Sequence, residues 1–359
     1  MGQMILTGLL CGALLGFIMQ RGRFCLTGGF RDMYLTKDNR MFYALLIAIT
    51  IQSVGVFALI QMGLIQFKAG TFPWMATIIG SFVFGIGIVL AGGCATGTWY
   101  RAGEGLIGSW ISLFGYMVTS AVMKTGVLVP VNDSFKVFAA PTNSIPATFG
   151  MSVWPFIALL TLVTIFLVVK QLRKPKVFIP SMKAKRTGLN HLLFEKRWHP
   201  FFTAVLVGLV ALIAWPLSEA TGRMSGLGIT TPTANILQYL ITGDSKKYLN
   251  WGVFLVLGIF VGSFIAAKAS REFRFRAPDA KVAVRSMVGG VLMGFGASLA
   301  GGCSIGNGLV MTAMMTWQGW ISLLFMILGT WTASYFIFVR PRTKSSKQPA
   351  SANLKTTTA

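Results

Sequence analysis

The chain has 359 residues, 54% hydrophobic and 11% charged, with 32 Lys and Arg against 9 Asp and Glu for a net charge of +23. A soluble globular chain carries roughly 25% charged residues, and a membrane-spanning helix needs about 20 mostly apolar ones. The composition thus excludes a cytosolic enzyme, a disordered tail and a secreted disulfide scaffold, and fits a polytopic membrane protein with little mass left for a soluble domain. In that setting the positive charge marks basic cytoplasmic loops before it marks an anionic ligand, and not nucleic acid. Four cysteines without a CxxC pair argue against a disulfide framework or a zinc site. No basic stretch precedes the first apolar run, as it would in a cleavable signal peptide.

In chain order, apolar runs fall at about 5–20, 41–66, 72–92, 105–129, 151–169, 201–218, 251–267, 286–300 and 319–339. Lys and Arg concentrate between them at 21–40, 170–197, 268–285 and after 339. Nine crossings place all four basic segments on one side. That side is expected to be cytoplasmic, with the N-terminus outside and the C-terminus inside.

The first run leads into Arg23-Phe24-Cys25-Leu26-Thr27-Gly28-Gly29, a glycine-containing break. The third closes on Leu90-Ala91-Gly92-Gly93-Cys94 and continues through Thr96 and Gly97. The eighth closes on Leu299-Ala300-Gly301-Gly302-Cys303 and continues through Ser304, Gly306 and Asn307. The last two match at an offset of 209 (Cys94 to Cys303), and Trp110-Ile111-Ser112-Leu113 returns as Trp320-Ile321-Ser322-Leu323. Gly22-Arg23-Phe24-Cys25 has a weaker echo in Gly222-Arg223-Met224-Ser225. Four crossings per repeat plus one linking crossing give two inverted repeats, about 1–130 and 199–340, joined by a linking helix and basic loop at 131–198. Together 1–340 form one transport domain, followed by a disordered basic cytoplasmic tail at 341–359. Inverted repeats with broken helices are the mark of transporter folds, with the site at the midplane.

A Gly-Gly pair permits unusual backbone angles, and irregular backbone at membrane depth is tolerated only in protein or beside a cavity. Exposed amides and a following helix N-terminus make an anion site. Cys25, Cys94 and Cys303 are therefore the candidate path residues. Gly92, Gly93, Thr96, Gly301, Gly302, Ser304 and Asn307 are candidate contacts, the glycines being expected at positive φ. Arg23, Arg101 and Arg223 flank the breaks and either touch the anion or snorkel to the interface. Cys11 lies within an apolar run and reads as a small buried hydrophobe. No acidic residue falls in the middle of a run, so no proton relay is visible. Nothing points to a metal, a cofactor or a catalytic residue.

The RGRFCLTGGFRD stretch at 21–32 and the two LAGGC motifs resemble the YeeE/YedE sulphur-transport family over nearly the whole chain. The resemblance implies an all-α protein of the bacterial inner membrane, hourglass-like, with about nine spans and short re-entrant helices. It implies uptake of thiosulfate as a sulphur source along a path lined by three cysteines, which match Cys25, Cys94 and Cys303. It implies membrane lipid around the protein and a TusA-like sulfurtransferase as cytoplasmic partner. A thiol is a weak S–H donor suited to a soft sulfur, and conduction needs sites that hold without trapping. An inside-negative membrane opposes dianion uptake by about 4.6 kcal/mol per 100 mV, so rapid consumption inside would sustain it. Two other readings remain open. One is a membrane sulfurtransferase forming a cysteine persulfide, and the other is a passive inorganic-anion channel.

Overall fold

A computed structural model describes residues 1–67, 69–174, 188 and 191–341. The proposed tail at 341–359, apart from residue 341, and most of the basic loop at 175–190 lie outside the described residues. The chain is all-α. Its spans are α1 (Gly2–Gly22), α3 (Arg40–Gln61), α4 (Trp74–Ala91), α6 (Ile107–Thr125), α8 (Trp154–Leu172), α9 (Pro200–Glu219), α11 (Trp251–Ala269), α12 (Ala280–Leu299) and α13 (Trp317–Ser334). Between them lie shorter helices: α2 (Leu26–Leu35), α5 (Ala95–Gly103), α7 (Val129–Lys136) and α10 (Thr230–Thr242). A π-helical turn occupies Gly306–Met311.

Among the described residues, eight helices are long and apolar enough to cross a membrane alone. A ninth comes from α6 with α7, which bend by 69° at their junction. The nine expected runs match the observed spans within a few residues, with two exceptions. α3 ends at Gln61, where Gly63 takes a left-handed φ of 74°. α12 begins six residues early at Ala280, its first turns carrying Lys281 and Arg285. Such side chains reach back to the interface from a helix end, so charge hid the start of this span. α1 with α2, and α4 with α5, form interrupted spans of 34 and 30 residues.

The helices pair closely through small residues, as membrane helices do when lipid supplies no hydrophobic drive between them. α1 runs along α11, and α9 along α3; α6 runs along α12, and α13 along α4. Gly12 and Gly16 face the Leu255 and Ile259 carbonyls, leaving no room for a side chain. α8 is peripheral. It exposes Leu159, Leu162, Ile165 and Phe166, and meets α3 through a Thr50–Thr164 hydroxyl contact of 3.1 Å.

Candidate functional site

The interior is built by three helix breaks. α1 ends in a left-handed Arg23 (φ 49°) whose N–H bonds Gln20 O, while the Phe24 N–H bonds Met19 O. This two-bond closure satisfies the last carbonyls of the helix. Cys25 is then extended (φ −135°) and occupies the N-cap position of α2 without a side-chain capping bond. α4 ends in left-handed Gly92 (φ 73°), and Cys94 caps α5, its Sγ accepting the Gly97 N–H at 3.3 Å. α12 ends at Ala300, followed by left-handed Gly301 (φ 76°) and Cys303, whose carbonyl accepts the Asn307 N–H at 2.8 Å. In the Gly92-Gly93 and Gly301-Gly302 pairs only the first residue requires positive φ. Gly93 and Gly302 do not, contrary to expectation. The reversal is complete after one left-handed residue, and the next can return to ordinary backbone.

The breaks converge. A Cβ on Gly97 would lie 3.3 Å from Cys94 Sγ and 3.5 Å from Cys25 Sγ, so both sulfurs sit over one glycine. Ser304 adjoins Cys94 from the second break. Its neighbour Cys303 lines a cavity of about 130 Å³ with Arg223, Gly228, Thr231 and Asn307. All three cysteines are buried. The hydroxyls of Thr27, Thr96 and Ser304, each one or two residues after a path cysteine, are buried and have no hydrogen-bond partner among the described residues. An unpaired buried hydroxyl costs about 1–3 kcal/mol, so these groups are donors in want of an acceptor. Thr27 went unnoticed in the sequence. The shared spacing Cys25-x-Thr27-Gly28 and Cys94-x-Thr96-Gly97 was the available signal.

The three arginines divide. Arg23 is clamped between two carboxylates, with Nη1 on both Glu104 oxygens at 2.7 and 2.8 Å and Nη2 on Glu272 at 2.7 Å. Its charge is compensated by acids at the C-terminal cap of α5 and on the loop after α11. Glu272 has no signal in the sequence beyond its position in a basic loop. Arg101 returns over its own break, Nη1 donating to the Gly92 carbonyl and Nε to Tyr100 Oη at 3.4 Å. Arg223 donates to Ser218 Oγ at 3.1 Å and to the Ser225 and Gly226 carbonyls at 3.3 and 2.8 Å. Among the described residues neither Arg101 nor Arg223 has a carboxylate within ion-pair distance.

Asn307 serves the backbone. Its Nδ2 donates to the Ala300 carbonyl at 2.9 Å and to Ser322 Oγ at 3.0 Å, and its Oδ1 accepts from Gln318 at 3.3 Å. Its amide is thus spent on holding the break. Cys11 sits mid-helix in α1, buried, beside Gly12 at the α1–α11 contact.

Interrupted spans in a membrane bundle, with buried thiols and unpaired hydroxyls where they meet, define a multi-pass membrane transport protein. Residues 21–332 match the family profile described as sulphur transport, and the chain belongs to that family. It is similar to a protein of Escherichia coli (strain K12) described as thiosulfate transporter TsuA, 69% identical over 353 residues, 98% of this chain and 100% of the relative. A second protein so described, from Spirochaeta thermophila, is 33% identical over 351 residues, 94% of this chain and 100% of the relative. A probable transporter YedE of Escherichia coli (strain K12) is 35% identical over 117 residues, 32% of this chain and 28% of the relative.

Proposed function

We propose that this chain takes up thiosulfate across the bacterial inner membrane as a sulphur source, passing the ion along Cys303, Cys94 and Cys25 in that order. The observation that carries the reading is the meeting of three separate helix breaks, two of them at their cysteines and the third at Ser304. Two sulfurs lie over Gly97, and Ser304 links them to the Cys303 cavity. Thiosulfate is a dianion with a soft terminal sulfur and three hard oxygens. Thiols match the sulfur, and the unpartnered hydroxyls of Thr27, Thr96 and Ser304 match the oxygens. The N-termini of α2 and α5, with Cys25 and Cys94 at their N-cap positions, add positive dipole ends at the same place. Each contact is weak, which lets the ion move on. Similarity to the two proteins described as thiosulfate transporters points the same way.

The orientation has the N-terminus outside and the C-terminus in the cytoplasm. It is supported by the gathering of basic segments at one end. Arg21 donates to the Leu193 and Lys196 carbonyls, and the Gly105 carbonyl accepts the Arg276 N–H. The Lys- and Arg-poor segments gather at the other end, where Phe72 pairs with Ala140 and Ser144 with Thr316. Two inverted repeats, about 1–130 and 199–340, account for the helix pairing. Exchanging α1 with α9, α3 with α11, α4 with α12 and α6 with α13 turns each observed pair into another. The Cys303 cavity is then the outer mouth, and the Arg23–Glu104–Glu272 cluster the inner one. A cytoplasmic TusA-like sulfurtransferase would consume the sulphur delivered there.

The test is uptake of radiolabelled thiosulfate, and growth on it, by a sulphur-auxotrophic host carrying Cys25→Ser, Cys94→Ser, Cys303→Ser or Cys11→Ser. Strong loss in the first three with normal uptake in the last is expected. Unimpaired uptake in two of the three path variants would end the relay reading. A persulfide on Cys25 or Cys94, detected by mass spectrometry after thiosulfate, would favour a sulfurtransferase instead.

A further inference from the structure

The cavity lined by Arg223 and Cys303 has a second cation at its rim. Lys124 stands in the last turn of α6, and its Nζ donates to Thr231 Oγ1 at 2.6 Å. Thr231 is exposed and lines the same cavity as Arg223 and Cys303. The lysine is held in place. Gln238, further along α10, donates to the Ala121 carbonyl at 3.4 Å and to Thr125 Oγ1, pinning α10 to the end of α6. Neither Lys124 nor Arg223 has a carboxylate within ion-pair distance among the described residues. Lys136 on α7, by contrast, is answered by Asp133 at 3.7 Å. An ammonium carries three donors, so the bond to Thr231 leaves donors to spare. Two cations at one mouth, with no carboxylate within ion-pair distance among the described residues, focus a field that draws anions in.

We propose that Lys124 is a steering and positioning residue of the cavity mouth, concentrating small divalent oxyanions beside Thr231 for hand-over to Arg223 and Cys303. This rests on the anion-path reading above and adds a capture step before the first thiol. One charge acting on a dianion at about 8 Å in water changes its local concentration about fivefold, and salt screens the effect.

Two measurements test it. In proteoliposomes at low ionic strength, Lys124→Gln should raise the half-saturating thiosulfate concentration about fivefold and change the maximal rate less than twofold. Lys124→Arg should behave as the parent, and the difference should vanish at high salt. An unchanged half-saturation in Lys124→Gln, or a difference that persists at high salt, overturns the proposal. Lys124→Met, close in length, serves where the Gln variant fails to accumulate.

The second measurement needs no transport. A cysteine placed by Thr231→Cys is exposed, and its rates of modification by anionic and cationic methanethiosulfonates report the local potential. Adding Lys124→Gln should cut the anionic-to-cationic rate ratio about fivefold or more. An unchanged ratio overturns the proposal. A shifted ratio in a protein that carries no thiosulfate would leave the capture site standing and remove the substrate reading instead.

Discussion

The two Gly-Gly-Cys breaks share a sequence and differ in what holds them. At Gly92–Cys94 the backbone is closed by Arg101 on the Gly92 carbonyl and by the Cys94 cap on Gly97. The residue 209 positions before Asn307 is Thr98, whose hydroxyl bonds the Ala95 carbonyl in its own helix at 2.7 Å. At Gly301–Cys303, Asn307 and Gln318 both bond the Ala300 carbonyl at 2.9 Å, and Ser322 accepts from Asn307. Its counterpart Ser112 instead donates to the Ser286 carbonyl on α12. A common backbone reversal is thus fixed by an amide clip in one half. In the other it is left to a thiol and a guanidinium, beside which Cys25 from a third break inserts. The same turn is clipped by an amide in one break and is a meeting place for two sulfurs in the other.

The largest expected effect separates the copies chemically. Cys94→Ser should lower thiosulfate uptake about tenfold or more, since losing one specific contact of about 1.4 kcal/mol is already tenfold. It should do so without lowering the amount of protein in the membrane. Cys94 touches the sulfur partner, the neighbouring helix N-terminus and Ser304, so its effect should exceed that of Cys303→Ser. Equal losses would mean that the two breaks are functionally equivalent after all.

Asn307→Leu should lower stability by about 1–3 kcal/mol, because the Ala300 carbonyl and Ser322 lose a buried partner. Thermal unfolding in detergent reads this directly. Thr98→Val, its positional counterpart, should cost about 1 kcal/mol or less. The difference should disappear if the amide clip is incidental.

Glycine substitutions sharpen the contrast further. A Cβ at Gly302 runs into the Asn307 side chain, whereas at Gly93 its nearest neighbour is Arg101 Nη1 at an ordinary 3.5 Å. Gly302→Ala should therefore lose about 1–3 kcal/mol to overpacking. Gly93→Ala should fold normally. Matching unfolding temperatures would show that the second break has slack.

The smallest effect lies at the Arg23–Glu104–Glu272 cluster. Arg23 and Glu272 are each about a third exposed, at 36% and 33%, and a pair so exposed is worth about 1 kcal/mol or less. Glu272→Gln should change stability only by that order and leave Arg23 on Glu104. Doubling Glu104→Gln with Glu272→Gln should add more than the sum, measured as a double-mutant cycle, because Arg23 then keeps no acid.

Much of this protein is legible in its sequence. Each span must bury a run of apolar side chains in lipid, and each break needs residues that can leave a helix. Both demands are local, so the runs, the three cysteines in glycine breaks and the LAGGC repeat are visible without a structure. The start of α12 escaped because Lys281 and Arg285 reach the interface from within the helix. The fate of the individual side chains was decided only by tertiary structure. Nothing local distinguishes Arg23, taken by Glu104 and Glu272, from Arg101 and Arg223, which have no acid within ion-pair distance among the described residues. Nor does anything local foretell that Asn307 spends its amide on Ala300 and Ser322, or that Cys25 and Cys94, 69 positions apart, share one glycine. The apolar pattern fixes where the chain crosses, because transfer into lipid depends on composition alone. Partnership of charges, amides and thiols depends on which helices meet, and that follows from close backbone packing across distant segments.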